Sequence, residues 1–479
     1  MIKIEEITIL DLRDEYEKKH ITCREVVLFY LDRITKIDKN EEGLNSVIEI
    51  NPDALFIADK LDKMRFDGII LGPLHGIPIL LKDNINTKDK MRTSAGSMAL
   101  EDNFATYDAY IVKLLRQKGV VILGKTNMTE FASTMSDIMP GGYSSRGGQT
   151  VCPYDKNANP LGSSTGSAVA VTANLCMGAV GTEACGSIIM PAKMNGVVGI
   201  KPTLGLLSRS GIIPTSITLD TPGTIARSVM DAAILLEAMV SMDENDPATY
   251  KSNYKVFDFV KDIDNNSLRE VHVGLDHTFL HDFEEERYNL FEICTTLLSE
   301  NGAICKSISN ICMDINSDNL KTIGLYEFKT AINSYFVSLH NKYNNYTLQD
   351  IINYNQSFTK KALKYGQRSF IDAQENMSSQ HTQSQYIEGL KEREKLIDKI
   401  DKIFIENSID VLFTLTGTEI ADFTGFPSMT IPIGLSKNNW PIGILLISRR
   451  YNEKTLIKVG HAFEQMFNAR KKPYLNNII

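Results

Sequence analysis

Residues 162–167 read Gly-Ser-Ser-Thr-Gly-Ser, and residues 181–187 read Gly-Thr-Glu-Ala-Cys-Gly-Ser. Small apolar residues lie between these two glycine-rich loops, and residues 167–177 predict a helix that packs closely against a sheet. Far upstream, Lys82 follows an apolar run. One lysine and two serine loops suggest a serine hydrolase without histidine, because a serine hydroxyl needs a group that accepts its proton.

The composition is typical of a globular enzyme. The chain has 479 residues, 43% of them apolar, which is enough to bury a large core. Its 51 lysines and arginines are scattered and are outnumbered by 59 acidic residues, which gives a formal net charge of −8. A chain without a basic field is poorly suited to phosphate backbones, so we expect no nucleic-acid partner.

The cysteines and the apolar segments predict a cytoplasmic protein. Seven cysteines occur at irregular spacing without a Cys-x-x-Cys pair, which favours reduced thiols over a disulfide framework. The first residues are acidic and lack the apolar core of a secretory signal. The longest apolar stretch, residues 168–180, is interrupted by Thr172, Asn174 and Gly178, so we expect no membrane span.

Helix and strand patterns alternate along the first part of the chain. Thr22 and Glu25 form a capping-box pattern that begins an amphipathic helix through about residue 37. The alternation predicts an α/β protein built on a sheet. The expected strands lie at residues 44–50, 77–81 and 120–123, and the expected helices between them at 52–64 and 108–118.

The last part of the chain returns to strand patterns. Three apolar strands that arrive this late are expected to join the sheet begun near the N-terminus. The residues before them carry few chemical motifs and are expected to form walls or a cover. The expected late elements are strands at 411–414, 428–433 and 442–447 and a helix at 453–467, preceded by a strand at 272–274 and helices at 284–300 and 383–406.

Other chemical templates fit the glycine loops less well. Gly162, Ser164 and Gly166 match Gly-x-Ser-x-Gly, but the elbow serine of an α/β-hydrolase follows an apolar strand, and residues 152–160 are polar. A phosphate-binding loop would need a lysine directly after Gly166, and none is present. The Ser-x-x-Lys pattern at residues 252–255 lacks the companion motifs of penicillin-recognising enzymes.

His277 and His281 have the four-residue spacing of some zinc ligands. The segment between them contains no third ligand and lacks the glutamate of a zinc-protease motif. We therefore expect neither a metal site nor a cofactor.

Taken together, the runs around the two loops resemble the amidase signature family. Residues 162–192 are similar to the family's serine loop, helix and catalytic turn, and residues 74–84 resemble its lysine strand. Three further runs look most like the single-chain peptide-amidase-like members: residues 142–150, 325–329 and 425–432. The resemblance implies an α/β fold with a mixed β-sheet core flanked by α-helices on both faces.

The resemblance spans nearly the whole chain and implies one domain over residues 1–479. Within it we expect a signature core with the catalytic motifs at 60–240 and a variable helical substrate-pocket or cover region at 258–410. Residues 411–479 are expected to supply C-terminal strands and a helix that return to the core sheet.

Position by position, the resemblance implies a catalytic trio. Ser187 is similar to the family's nucleophile, Ser163 to its bridging serine and Lys82 to its base. A buried lysine with a depressed pKa can accept the serine proton as the neutral amine. The resemblance also implies a cis peptide bond between Gly162 and Ser163.

A backbone oxyanion hole and several supporting side chains are expected around the trio. The backbone N–H groups of Ala184, Cys185, Gly186 and Ser187 would meet the oxyanion. Arg146 and Gln149 are candidates either to orient the substrate or to brace the catalytic turn. The residues expected to hold the loops are Ser164, Thr182 and Gly162.

The catalytic turn departs from the family pattern at three positions. Ala184 and Cys185 stand where relatives commonly carry Thr and Gly, and Ile189 stands where they commonly carry Arg. A positive φ at Cys185 would strain a residue other than glycine. On general grounds this cysteine is expected to be a small buried filler.

The leading hypothesis is an amidohydrolase that cleaves linear carboxamide C–N bonds through an acyl-enzyme on Ser187. It would release ammonia or an amine from a small-molecule or peptide amide and act as a monomer or homodimer. One alternative is the glutaminase (A-type) subunit of glutamyl-tRNA amidotransferase, which needs partner subunits. Another is a binding or regulatory protein that keeps the fold but has lost turnover.

Overall fold

The structure, a computed structural model, describes residues 3–251, 258–261, 263, 268–278, 285–308, 311, 317–377 and 379–475. The strands of the described residues are β1 (Val47–Ile50), β2 (Pro78–Lys82), β3 (Val121–Thr126), β4 (Tyr143–Ser144), β5 (Gly148–Gln149), β6 (Gly178–Glu183), β7 (Val198–Lys201), β8 (Thr221–Ala226), β9 (His272–Asp276), β10 (Ile304–Ile308), β11 (Val411–Thr414), β12 (Ser428–Leu435) and β13 (Pro441–Ser448).

Along the chain, the helices lie before, between and after the strands. The α-helices of the described residues are α1 (Ile9–Glu17), α2 (Cys23–Arg33), α3 (Ala54–Phe66), α4 (Tyr110–Gln117), α5 (Thr165–Thr172), α6 (Ile189–Met194), α7 (Val229–Glu237), α8 (Glu285–Glu300), α9 (Ser317–Ser338), α10 (Leu348–Ser357), α11 (Thr359–Ala362), α12 (Arg368–Ile371), α13 (Gln380–Glu406), α14 (Thr418–Thr424) and α15 (Glu453–Phe467).

Eleven strands form one mixed sheet in the order β1-β3-β2-β6-β8-β7-β12-β13-β11-β9-β10, and β4 and β5 form a separate short ribbon. β2 runs parallel to both β3 and β6, whereas β6, β8, β7, β12 and β13 pair antiparallel in turn. Every residue of β2, β3, β6 and β8 is buried. Because successive side chains point to opposite faces of a strand, both faces are covered. The predicted α/β fold with a mixed, helix-flanked sheet is confirmed.

Elements with strong local signals lie where the sequence places them. The Thr22 side chain accepts a hydrogen bond from the Glu25 N–H at 3.2 Å, and Glu25 accepts one from the Thr22 N–H at 2.7 Å, so the predicted capping box begins α2. α2 ends at Arg33 and continues as one π-helical turn, Ile34–Asp38. The helix after β13 matches its predicted bounds, Glu453–Phe467.

Elements that the sequence reading missed include β6, β7, β8 and α7. β6 reads Gly-Ala-Val-Gly-Thr-Glu, which has the small residues of a loop rather than the bulky residues of a strand. Packing explains its composition, because a Cβ at Gly181 would lie 2.7 Å from the Ser164 Oγ. α5 accordingly ends at Thr172, five residues before the predicted end at 177.

Chain segments far apart in sequence meet in the sheet. Ser428 of β12 pairs with Lys201 of β7, so the late strands sit beside the strands near the catalytic motifs. β9 and β10 of the middle region extend the sheet at its far edge. The helices α9 and α13 of the same region pack against each other, and α13 also contacts α14.

Two further observations concern membranes and thiols. No helix among the described residues combines the length and the apolar character that crossing a membrane requires. The six cysteines that the structure describes are free thiols, and Cys312 lies outside the described residues.

Candidate active site

Lys82 is the last residue of β2 and its side chain is fully buried. Its ammonium nitrogen donates to three oxygens: the Ser163 Oγ at 2.7 Å, the Ser164 Oγ at 3.0 Å and the Thr182 carbonyl at 3.0 Å. Three acceptors satisfy all three donors of a lysine. The sheet therefore holds this nitrogen at a fixed point between the two serine loops.

Burial is the main reason that the pKa of Lys82 falls to about 7, because an ammonium ion loses hydration inside the sheet. The carboxyl groups of Asp220 and Glu183 oppose this shift but do not cancel it. A lysine with this pKa is partly neutral near pH 7. It can then accept a proton, which an ordinary lysine at that pH rarely does.

The serine loop crosses the end of β2 at residues 162–164. The peptide bond between Gly162 and Ser163 is cis, which confirms the expectation drawn from the resemblance. A Cβ at Gly162 would collide with the Thr129 hydroxyl, so only glycine fits there. The Thr129 N–H donates to the Ser163 carbonyl at 3.1 Å, which fixes the backbone of the predicted bridging serine.

Ser164 joins the serine loop to the catalytic turn. Its Oγ donates to the Thr182 carbonyl at 3.0 Å and accepts from the Thr182 N–H at 3.2 Å. Its N–H donates to the Ser187 carbonyl at 3.0 Å. The backbone of the predicted nucleophile is thus tied directly to the loop of the predicted bridging serine.

The predicted catalytic turn, residues 184–188, follows β6 and leads into α6. Gly186 has a φ of 68°, a conformation that glycine adopts without strain. Cys185 does not have a positive φ, so the backbone strain that such an angle would cause does not arise there. It is exposed in the cavity, and the expectation of a buried filler is wrong, because the turn directs this side chain away from the core.

Glu183 supports the turn from within. One oxygen of its carboxylate accepts the backbone N–H groups of Ile188 and, at 2.9 Å, of Ile189. These are N–H groups at the start of α6 that have no partner inside the helix. Ile189, where the resemblance led us to expect an arginine, is buried in an apolar cluster.

Ser187 is 8% exposed and faces a cavity of about 1010 Å³. Residues 209–222 form one wall, and α9 forms another through Leu325, Ala331 and Tyr335. Gly162, Thr182, Ala184 and Cys185 also line the cavity, so the predicted nucleophile, loop and turn meet at one surface.

A network of hydrogen bonds connects the walls. The buried Glu327 of α9 accepts from the Thr218 N–H at 2.9 Å and from the Tyr386 hydroxyl at 2.9 Å. It also accepts from the hydroxyls of Ser216 and Thr218. One carboxylate therefore holds the 209–222 wall, α9 and α13 together.

Sequence reasoning missed several residues of this site. The Asn84 amide donates to the Thr182 hydroxyl at 3.0 Å, and Asn84 lines the cavity. Ala132 and Ser133 line it from a run of left-handed backbone, with φ of 53° and 71°. The Lys82-Asp83-Asn84 run was a usable signal for Asn84. No local pattern marks Ala132 and Ser133.

Arg146 and Gln149 lie away from the cavity. Arg146 contacts Glu49 and donates to Asp83 at 3.4 Å, so it braces the end of β2. The Gln149 amide donates to the carbonyls of Gly141 at 2.7 Å and Thr150 at 2.9 Å. Neither residue is among the described residues that line the cavity. A direct role of either in substrate binding stays a prediction.

Metal binding has no structural counterpart in the described part of the chain. No group of three or more His, Cys, Asp or Glu side chains there could hold an ion. His281, one of the two histidines with zinc-like spacing, lies outside the described residues.

Comparison with known proteins places this geometry in a family. A family model described as Amidase matches residues 25–419. The Arabidopsis thaliana protein named "Probable amidase" is 37% identical, over 98% of this chain and 92% of its own length. A glutamyl-tRNA(Gln) amidotransferase subunit of Alkaliphilus metalliredigens, of the A type, is 31% identical, over 98% of each chain.

Among solved structures, the native peptide amidase of Stenotrophomonas maltophilia is similar over 98% of this chain and 99% of its own, with a TM-score of 0.93 and 38% identity. An amidase family protein of Bacillus anthracis gives a TM-score of 0.92 at 35% identity, over 98% of this chain and 93% of its own. The chain belongs to the amidase family, and it is an amide-hydrolysing enzyme similar to the peptide amidases.

Proposed function

We propose that the protein hydrolyses linear carboxamides through an acyl-enzyme on Ser187, with Ser163 and Lys82 as its proton relay. The observation that carries this proposal is the buried Lys82 nitrogen, 2.7 Å from the Ser163 Oγ and with a pKa of about 7. A neutral amine at this point is a base that the serine relay can use near neutral pH.

In the first step the Ser187 Oγ attacks the amide carbon. Its proton passes to Ser163 while Ser163 gives its own proton to the neutral Lys82. The carbonyl oxygen becomes an oxyanion, which the backbone N–H groups of residues 184–187 stabilise. The intermediate then collapses: the C–N bond breaks, the proton returns from Lys82 through Ser163 to the leaving nitrogen, and ammonia or an amine departs.

In the second step water attacks the acyl ester on Ser187. Its proton takes the same route through Ser163 to Lys82, and a second oxyanion forms on the carbonyl. Collapse of this intermediate breaks the bond to the Ser187 Oγ, which recovers its proton. The acid product leaves, and the amine of Lys82 is neutral again for the next cycle.

The cavity supports an amide with a sizeable apolar body as the substrate. A volume of about 1010 Å³ is at the upper end of ordinary ligand sites and far exceeds the need of acetamide. Leu325, Ala331 and Ile217 present apolar surface along the walls. The similarity to a peptide amidase also supports a peptide-sized amide as the substrate.

The glutaminase subunit of an amidotransferase is a second candidate, favoured by 31% identity to one such protein over nearly the full length of both chains. This function would need partner subunits that accept the ammonia. Purification of the tagged chain from its native cells separates the two candidates. Stoichiometric partner subunits would favour the glutaminase, and a free chain that releases ammonia from peptide amides would favour the amidase.

A third possibility, a protein that keeps the fold without turnover, is tested together with the first. Ammonia release should be measured on amides from acetamide to amidated dipeptides, for wild type, Ser187→Ala and Ser334→Ala. Ser334 is a matched control, because it is an exposed serine that lines the same cavity from α9. We expect activity in wild type and Ser334→Ala and none in Ser187→Ala. Equal activity in Ser187→Ala would exclude the acyl-enzyme.

A further inference from the structure

A buried pair of carboxyl groups lies behind the catalytic turn. Glu183, the last residue of β6, is 2% exposed, and Asp422 of α14 is 3% exposed. The Asp422 carboxyl faces the Glu183 carboxyl and the backbone N–H of Gly186. The mechanism above uses neither group as an acid or base.

Three of the four carboxyl oxygens of this pair have no hydrogen-bond partner among the described residues. One Glu183 oxygen accepts the Ile188 and Ile189 N–H groups, but the other has no hydrogen-bond partner among the described residues, and neither has either oxygen of Asp422. The nearby Lys201 ammonium donates instead to the Phe426 carbonyl, at 2.6 Å. A buried carboxylate without donors is costly, and two facing each other are more so.

A single proton on the pair would supply a missing hydrogen-bond donor and would also remove one of the two buried negative charges. If one carboxyl of a facing pair is protonated, its O–H donates to the other, and only one negative charge stays buried. Glu183 already accepts two N–H groups at the start of α6. Asp422 faces the Gly186 N–H, but neither oxygen of its carboxyl has a hydrogen-bond partner among the described residues, so it is the natural holder of the proton.

We propose that Asp422 is a positioning residue for amide hydrolysis: in its protonated form it donates its O–H to Glu183 and so holds the catalytic turn in the shape that receives the oxyanion. This inference rests on the proposed function of Ser187. Asp422 acts through Glu183 and the turn, and it does not touch the reacting atoms.

The electrostatics around Asp422 agree with this assignment. Burial, and next the charge of Glu183, raise the pKa of Asp422 well above its ordinary value. Lys201 on β7 and the Gly186 N–H act in the opposite direction.

Two charged groups on other elements face Lys201 rather than Asp422 directly. Glu453 of α15 favours the charged form of Lys201, and Arg393 of α13 disfavours it. Neither group donates to the Glu183 oxygen that has no hydrogen-bond partner among the described residues.

The inference predicts how activity depends on pH. Below neutrality, activity is limited by protonation of Lys82. As the pH rises through the pKa of Asp422, that carboxyl ionises, loses its O–H donor and faces Glu183 as a second anion. The turn then loses its brace, so kcat falls at alkaline pH and the profile is bell-shaped.

The test compares wild type with Asp422→Ala, Asp422→Asn and Asp231→Asn. The asparagine amide supplies a donor that cannot ionise, so Asp422→Asn separates hydrogen bonding from titration. Asp231→Asn is the matched control, because Asp231 is also buried with a pKa raised to about 6, mainly by burial, but lies at the start of α7. The readouts are kcat and KM against pH, together with the rate at which a fluorophosphonate labels Ser187.

We expect Asp422→Ala to lower kcat about tenfold at neutral pH with a smaller change in KM. Asp422→Asn should recover most of that loss and should lack the alkaline fall, whereas Asp231→Asn should keep the wild-type profile. An alkaline fall in Asp422→Asn identical to that of wild type would overturn the inference. So would a wild-type kcat in Asp422→Ala. If Asp422→Ala does not fold, Asp422→Asn alone decides.

A spectroscopic readout separates failure of this inference from failure of the proposed function. Wild-type protein that neither hydrolyses amides nor reacts with the probe would contradict the proposed function. The infrared difference spectrum between wild type and Asp422→Asn would still report on the pair. A C=O band of a protonated carboxyl that is lost in Asp422→Asn supports the shared proton, and an unchanged band overturns it.

Discussion

Two regions of the molecule, the serine loops around Lys82 and the wall formed by α9, lie beside the same cavity. They are held together by different interactions. Around Lys82, the buried polar groups hold one another: its nitrogen meets three oxygens within 3.0 Å, and Ser164 bonds the turn at three points. Around α9, apolar side chains such as Phe328, Phe336 and Phe370 pack into one cluster.

The difference reflects what each region must do. A proton relay works only if its atoms stay within hydrogen-bond reach, so its residues are fixed by geometry and tolerate little change. An apolar wall needs only volume and shape, and many side chains fill a volume equally well. We therefore expect substitutions in the relay to affect every substrate alike and substitutions in the wall to affect substrates differently.

Lys82→Met should have the largest effect. Methionine has a similar length and is apolar, so it fits the buried site but cannot accept a proton. We expect kcat/KM to fall about 10³-fold or more for every amide that wild type cleaves. Ammonia release by the purified variant measures this. Thermal unfolding serves as the control, since removing a buried amine should leave the protein folded. A loss confined to large amides would assign Lys82 to the wall instead.

Ser164→Ala should have the next largest effect. The variant removes one acceptor from Lys82 and both side-chain bonds to Thr182. Buried groups that lose a partner cost roughly 1–3 kcal/mol each. We expect kcat to fall about tenfold or more, in equal proportion for small and large amides. Steady-state kinetics with acetamide and an amidated dipeptide, beside the Ser334→Ala control, would show an unequal loss if the comparison between the regions were wrong.

The two regions also differ in how much the sequence could predict. The residues of the proposed relay were predictable because they lie in specific local runs, and Lys82, Ser163, Ser164 and Thr182 do come together around one nitrogen. The wall was not predictable from the sequence, because the position of α9 at the cavity depends on packing between segments that are distant in sequence. Glu327 joins three of those segments. It lies in residues 325–329, which resemble the family, but the resemblance did not assign Glu327 a role.

Between residues 60 and 240, tertiary contacts also determined features that the local sequence pattern did not predict. β6 was missed because Gly181 is required by the close approach of Ser164, and glycine has a low strand propensity. Cys185 was expected in the core, but the turn exposes it. Arg146 braces Asp83 and Glu49, which are distant in sequence and give no local signal.

The pH dependence of the relay is the third prediction. Only the neutral amine of Lys82 accepts a proton, so kcat/KM should rise as the pH rises through its pKa of about 7. The charge of Asp220 raises that pKa against the effect of burial. Asp220→Asn should therefore move the rising limb to lower pH, which would make the variant relatively more active in acid.

Profiles of kcat/KM between acid and neutral pH, taken with an uncharged amide, test this shift. Asp231→Asn is again the control, because it removes a buried carboxyl that is not among the groups acting on Lys82. A limb that moves to higher pH, or that moves equally in both variants, would contradict a direct charge effect on Lys82. The expected displacement is the same for small and large amides, since it belongs to the relay.

Leu325→Ala in the wall should have the smallest effect, and it is the most selective test of the comparison. Leu325 is half-buried and lines the cavity from α9, so truncation removes apolar surface that a large substrate covers and a small one does not reach. Losing contact with about three carbons is worth roughly 1–2 kcal/mol of binding, or about tenfold in KM. We expect this rise only for amides with a large apolar body, with kcat and the pH profile unchanged.

The ratio of kcat/KM between an amidated dipeptide and acetamide separates the two regions, because relay variants scale all substrates together. This ratio should fall in Leu325→Ala and stay constant in Ser164→Ala. A constant ratio in both variants would mean that α9 covers the cavity without selecting what enters it.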